Sequence, residues 1–428
     1  VITVLTRSRL LPRVDDDGPK GYRGGTHRLV DPAETVETVR RLAPAMGITR
    51  VANVTGLDTL GIPVVMVTRP NSRSLAVSQG KGLTLDAAKA SGLMESVEHY
   101  HAERITAPLK LASYNELASS HRLVDVDRLP QSSASKFHPD LQLLWIEGHD
   151  LIADEPTWLP YELVHADFTL PKPSGSGCFP SNSNGLASGN HLLEATSHAI
   201  SECVERDATA LWKLGGEPAA RHRLNLESVD DPDCRWAIEA YEREGVDVAV
   251  WDTTTDVGLP AFACMIVPRP NGGLAHQYAN GGMGCHPRKE VALLRALTEA
   301  AQSRLTIISG SRDDNPQQRY EQFRDLDQLA TYRAHVERTV VDGDFADVPT
   351  FDGDSFAEDV AWEVDRLIAA GLEQAIVVDL TKPEFGLPVV RVVVPGLENQ
   401  HHAPDYTAGA RGQAARARAA HAAREEQP

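Results

Sequence analysis

Cysteine, aromatic side chains, positive charge and long apolar runs are all scarce in this sequence, and each shortage excludes something. The five cysteines (Cys178, Cys203, Cys234, Cys264 and Cys285) are odd in number, scattered, and form no C-x-x-C pair. That supports neither a disulfide framework nor a structural zinc site. Cys203 and Cys264 sit inside apolar stretches and read as small core residues. Against 60 Asp+Glu there are only 42 Lys+Arg, a formal charge of −18, which argues against general affinity for nucleic acid or anionic membrane. No apolar run approaches the roughly 18 residues of a membrane span; Ile62–Val67 and Ala261–Val267 are among the longest. Val1–Leu5 gives way at once to Thr6, Arg7 and the acidic run Asp15–Asp17, which is no signal-peptide core. The expectation is a soluble cytoplasmic protein.

Familiar catalytic signatures are missing too. Gly80-Lys81 has Leu75 where the first P-loop glycine belongs and Gly82 where a metal-holding Ser/Thr is needed. Glu98-His99-Tyr100-His101 and His401-His402 lack any recognised zinc spacing. The adjacent pair Cys285-His286 gives little support to a Cys–His hydrolase, because such dyads are assembled from distant segments.

What is present begins with a repeat. Thr55–Pro63, Asp252–Pro260 and Asp379–Pro388 are polar turns ending in Gly-(Ile/Leu)-Pro, and each leads into an apolar β-rich run: Val64–Val67, Ala261–Val267 and Val389–Val394. Each reads as a strand, a tight reversal and a second strand with proline at its entry. The copies are too irregularly spaced for a solenoid. Helical periodicity marks Leu85–Glu103, Leu192–Lys213, Arg288–Ile308 and Phe356–Ala370. Two Gly/Ser/Pro-rich segments, Pro171–Asn190 and Pro268–Cys285, each precede a helix. The fold class expected is α+β, one composite core with repeated β-hairpins. The domain expectation is an N-terminal extension (1–17), one domain (18–403) and an Ala/Arg-rich tail (404–428), the tail read as frayed or a solvated helix. Exposed hairpin edges would allow a homodimer.

The chemistry-bearing pattern is carboxylate. On an ideal helix Ser91, Glu95 and Glu98 fall within about 60° of one another. Taken from Glu194, Asn190 lies at roughly −40°, Glu202 at 80° and Glu205 at 20°, with Leu193, Ile200 and Val204 left for the core. These acids have no interleaved lysine, so they are not an i,i+4 ion-pair ladder. If the two stripes face each other, carboxylates ~5 Å apart repel by roughly 3 kcal/mol per pair at an effective dielectric near 20. Such a cluster calls for cations, and carboxylate-only ligation points to Mg²⁺ completed by substrate phosphates.

The stretches Ser91-x-x-x-Glu95-x-x-Glu98 and Ser183–Asn190-x-x-x-Glu194, followed by Glu202-x-x-Glu205-Arg206-Asp207, resemble the ATP-binding signature of YcaO-domain enzymes. The resemblance covers roughly residues 18–400. It implies a YcaO-type core whose acidic helices enclose an ATP/Mg site, with Glu95, Glu98, Glu194, Glu202 and Glu205 on the metal. Ser91, Asn190 and Arg206 would contact nucleotide or phosphate, Arg206 also serving catalysis. Lys20 to Arg28 resembles the family's N-terminal nucleotide-contacting stretch, which makes Lys20 a candidate. Arg304 and Arg312 resemble a late arginine motif that reaches the phosphates, Arg304 in a catalytic role; surface charge or a salt bridge is the alternative for each arginine.

The activity implied is ATP-dependent phosphorylation of a peptide backbone amide during nucleophilic attack, on a ribosomally made precursor peptide. Residues Lys20–Arg28, Met46–Asn53, Arg69–Ser74 and Val394–Glu398 look most like the subgroup that works with a TfuA partner, associated with thioamide formation from external sulfide. The end of the chain lacks a Pro-rich tail, which counts against azoline formation, and recruitment of the peptide is expected to need another polypeptide. Cyclodehydration, macroamidine formation and a non-catalytic peptide-binding scaffold are the alternatives. Cys178 and Cys285, in Gly-rich loops, are candidates for a persulfide relay, though nothing nearby marks a depressed thiol pKa.

Overall fold

A computed structural model describes residues 19–216, 222–270, 279–315, 317–323, 325–399 and 406–425. The expected extension 1–17, the pair His401-His402, residues 404–405 and 426–428 of the tail, and 271–278 of the second Gly-rich segment lie outside the described residues. The chain divides into two compact units. The first is built mainly from 97–214 and 353–424, the second from 21–96 and 215–352.

The main elements, in chain order, are α1 (Pro32–Met46), β1 (Arg50–Asn53), β2 (Val64–Thr68), β3 (Val77–Lys81), α2 (Leu85–Glu103), β4 (Leu109–Ala112), β5 (Leu143–Asp150), β6 (Glu155–Pro160), β7 (Leu186–Ser188) and α3 (Leu192–Leu214). There follow α4 (Pro232–Arg243), β8 (Val246–Asp252), β9 (Ala261–Pro268), β10 (Asn280–Cys285), α5 (Lys289–Ser309), α6 (Leu326–Arg338), α7 (Phe356–Ala369), β11 (Ile376–Asp379), β12 (Val389–Val393) and α8 (Ala410–Glu425).

All three expected hairpins form, as the antiparallel pairs β1–β2, β8–β9 and β11–β12. One side-chain clasp closes each. Asn53 Oδ1 accepts from Thr55 N at 3.1 Å, and Thr55 Oγ1 accepts from Val64 N at 3.1 Å. Asp252 holds Thr254 N at 2.9 Å and Thr254 Oγ1 takes Ala261 N at 3.1 Å. Asp379 holds Thr381 N at 2.9 Å and Thr381 Oγ1 takes Val389 N at 3.2 Å. The glycine two residues before each proline (Gly61, Gly258, Gly386) has φ of 77°, 77° and 64°, a region a side chain would strain.

In the second unit, β1-β2-β3 and β8-β9-β10 are separate three-stranded antiparallel sheets. The buried faces of β8 and β9 meet α4 and α5 around Ile238, Tyr241, Phe262, Leu293 and Leu297. Gly80 is not part of a phosphate loop: it lies in β3, where an added Cβ would come within 2.2 Å of Gly92 N, so α2 packs backbone-close against the strand. Lys81 next to it is paired with Glu299 of α5 at 2.5 Å.

In the first unit, a six-stranded sheet runs β4-β5-β11-β12-β7, with β6 also paired to β5. Helix α3 packs over β12 and β7, and α7 packs against α3. Of the two expectations for the tail, the solvated helix is the one that forms: α8 is tied down at its first turn and largely exposed beyond it. Arg411 grips the fully buried Asp207 of α3, with Nη2 to Oδ2 at 2.8 Å and Nε to Oδ1 at 3.0 Å. Glu398 accepts the backbone N–H groups of Gly409 and Gly412 at 3.1 and 2.6 Å at the start of this helix.

Candidate active site

The four expected helices appear with boundaries within a residue of those read from periodicity. On α3 the wheel argument holds, since Leu193, Ile200 and Val204 are buried at 4%, 0% and 0% exposure. Glu194 and Glu205, at 3% and 8%, are buried as well, so the stripe is not a solvated acidic face. Arg206 answers part of this charge: Nη1 donates to Glu205 Oε1 at 2.6 Å and Nη2 to Glu202 Oε1 at 3.4 Å. A guanidinium between two carboxylates marks this face as one that demands positive charge.

Glu98, on the part of α2 that belongs to the same unit, accepts from Ser188 N at 2.9 Å and Ser188 Oγ at 2.7 Å. Ser188 ends β7 and feeds the loop carrying half-buried Asn190 into α3. Within this unit, then, an acid of the first helix is anchored beside the entry to the second. Lys20 is held by Asp359 of α7, Nζ to both carboxylate oxygens at 2.7 Å, with both side chains buried. Nearby on α7, Glu363 is fully buried and takes the hydroxyls of Ser197 and Ser201 at 3.2 and 2.8 Å; burial and the Asp359 charge push its carboxyl well above the usual carboxylate range.

The other candidates lie in the second unit. Half-buried Ser91 and Glu95 are on α2, and Gln79 N donates to Glu95 at 3.0 Å. Burial raises the Glu95 carboxyl, opposed by that hydrogen bond and by the charges of Arg312 and Lys81. Arg312 is bound in a two-point contact with Asp314, Nε to Oδ1 at 2.7 Å. Arg304 is fully buried, with Nε 3.3 Å from Asp58 Oδ2, which is the salt-bridge arrangement.

All five cysteines are buried thiols. Burial and Glu162 push the Cys178 thiol up, and burial raises Cys203 to about 12, so no thiolate is favoured at these two positions. Among the described residues no three or more His, Cys, Asp or Glu side chains are gathered to hold a metal ion. The donor chemistry nevertheless fits Mg²⁺, because Glu98, Glu194, Glu202 and Glu205 offer only carboxylate oxygens and the Arg206 clasp already supplies cationic charge to two of them.

Three supporting residues escaped sequence reading: Gln79, Ser188 and Arg391. Ser188 stands inside the Ser183–Asn190 motif, and Gln79 just before Gly80-Lys81. The third is the lone charge in an otherwise apolar strand, Val389–Val394, and that oddity was the available signal.

The arginine-clasped acidic face of α3 and the mixed α/β frame are what the comparisons bear on. The chain belongs to the YcaO family: residues 79–398 match the family model described as YcaO cyclodehydratase, ATP- and Mg²⁺-binding. Enzymes of this family depend on ATP and Mg²⁺. The chain is 38% identical over 381 residues to an uncharacterized protein in the tfuA 3′ region of Rhizobium leguminosarum bv. trifolii, covering 87% of this chain and 88% of that one. It is 34% identical to an uncharacterized protein of Methanothermobacter thermautotrophicus, covering 87% and 95%. Among solved structures, a heterocyclase in complex with substrate and cofactor aligns with a TM-score of 0.72 at 26% identity, over 90% of this chain and 55% of that one. The chain thus spans little more than half of that heterocyclase. YcaO from Methanopyrus kandleri, bound with AMPPCP and Mg²⁺, has the same fold, with a TM-score of 0.72 at 23% identity, over 92% and 99%.

Proposed function

We propose that this protein is an ATP-dependent peptide backbone-modifying enzyme that forms thioamides with external sulfide, acting on a ribosomally made peptide or protein with a TfuA-like partner. The observation that carries the thioamide reading is the similarity, over 87% of the chain, to a protein in a tfuA 3′ region. Residues 18–403 are taken as the working domain. ATP with Mg²⁺, when bound, supplies a transferable phosphoryl group and neutralises the charge that develops on it.

The chain's own residues do the rest. Glu98, Glu194, Glu202 and Glu205 hold the cation, and Arg206, released in part from Glu202 and Glu205, steadies phosphate oxygens beside Asn190. Glu95 keeps the metal role, and Ser91, Lys20, Arg304 and Arg312 the nucleotide or phosphate roles, that the family resemblance implies. Hydrosulfide adds to the amide carbonyl carbon, the carbonyl oxygen takes the phosphoryl group, and that oxygen departs within phosphate as the C=S bond forms. ATP, hydrosulfide and amide are consumed; ADP, phosphate and thioamide are produced.

Similarity to the heterocyclase supports a second reading, cyclodehydration to an azoline. Weighing the treated peptide separates the two. Exchange of oxygen for sulfur is expected, and loss of one water in its place would replace the thioamide reading with ring or amidine formation. Nucleotide binding that ignored Mg²⁺ would favour a peptide-binding scaffold.

A further inference from the structure

The first unit contains a small cleft of about 30 Å³, partly open to solvent, lined by Pro130, Leu163, Asn182, Asn184, Arg391 and Asn399 among others. Arg391 stands in the middle of β12, hydrogen-bonded in register between Val378 of β11 and Leu186 of β7, and is only 3% exposed. Its Nη2 reaches Asn182 Oδ1 at 3.4 Å, a long hydrogen bond, while Nε and Nη1 have no acceptor among the described residues. A buried guanidinium with two unmet donors is costly, since each charged donor left unpaired forfeits more than the ~1–3 kcal/mol of a neutral one. Burial lowers its pKa only to about 10, so it remains a cation at neutral pH.

A second polar group in the cleft is also unsatisfied. Asn184 Nδ2 donates to Asn399 Oδ1 at 3.3 Å, as Asn182 Nδ2 does at 3.2 Å, and this fixes the amides so that Asn184 Oδ1 is buried without a donor among the described residues. The cleft therefore offers two cationic N–H groups and one amide acceptor against apolar walls. Glu398 on the lining and Glu202 within electrostatic reach of Arg391 disfavour a dianion such as phosphate.

We propose that this cleft binds a carboxylate group of the substrate peptide, the rest of the peptide lying outside it. The carboxylate sits on Arg391 Nε and Nη1, and the peptide N–H next to it donates to Asn184 Oδ1. Assignment of this carboxylate to the substrate rests on the proposed function; the anion site itself does not. The carboxylate is either the chain terminus or an acidic side chain, which share this chemistry.

The test is calorimetric titration of the full-length protein with three probes: acetylglycine, acetyl-Glu-amide and the neutral acetylglycinamide. At least one carboxylate probe is expected to bind ten times more tightly than the neutral one; preference for the first identifies a terminus and for the second a side chain. Arg391→Met removes the difference. Should that variant not fold, Asn184→Asp puts a like charge beside the carboxylate and is expected to weaken it at least tenfold. Equal binding of charged and neutral probes, tighter binding of inorganic phosphate, or undiminished carboxylate binding in a folded Arg391→Met would overturn the inference. AMPPCP titrated with and without Mg²⁺ keeps the two readings apart. Nucleotide bound without any carboxylate response sinks this site alone, whereas a carboxylate response without Mg²⁺-dependent nucleotide binding sinks the functional reading and leaves the anion site standing.

Discussion

Glu202 and Arg206 set the sharpest expectation at the scale of single residues. Glu202→Gln keeps the shape of the side chain and removes one carboxylate charge from a face proposed to hold Mg²⁺. ATP-dependent turnover is expected to fall by about a hundredfold or more, with the urea midpoint unchanged. Paired activity and denaturation measurements check this, and a fully active variant would remove α3 from the catalytic site. Glu363 gives a pH signature. Its folded pKa lies well above that of an unfolded glutamate, so between those two values the native state binds more protons than the unfolded one. Stability therefore falls as pH rises through that window. Glu363→Gln mimics the protonated acid and can still accept from Ser197 and Ser201. The gap in urea midpoint between variant and wild type is expected to widen in the variant's favour from pH 5 to pH 9. A constant gap would mean that Glu363 does not titrate there.

Among the elements, α8 and the hairpins carry the testable content. Arg411→Ala strands the Asp207 carboxylate inside the protein, and breaking such a pair costs about 3 kcal/mol; Arg411→Lys is expected to recover only part of that, since the two-point grip is lost. Thermal or urea unfolding of the three proteins gives the comparison. Thr254→Val should cost roughly 1 kcal/mol by leaving Ala261 N without its acceptor, and an unchanged midpoint would show that the clasp is incidental.

At the level of the whole molecule, the sequence disclosed the hairpins and the four long helices because both rest on local periodicity and turn chemistry. It concealed β6, where Pro156 and Pro160 argue against a strand, although β6 pairs with β5 throughout its length. Helices α1 and α4 are legible from Asp31-Pro32 and Asp231-Pro232, an N-cap followed by proline, and from apolar stripes that the four helices named above do not exhaust. The docking of the tail was invisible because its partner, Asp207, lies 204 residues upstream. The same holds for Arg304, whose partner Asp58 is 246 residues away. Spacing together with the family resemblance put the candidate acids forward, whereas their hydrogen-bond supports, Gln79 and Ser188, become evident only once strands and helices are placed together.

The hairpin clasps have one more consequence. In the three copies the threonine and the residue it fastens stand nine, seven and eight positions apart, yet the fastening is the same. Each arch is pinned at its feet and indifferent to its span. Extra residues introduced between Thr254 and Leu259, or between Thr381 and Leu387, are therefore the insertions this scaffold should absorb without disturbing the sheets, and they mark where recognition loops could be grafted.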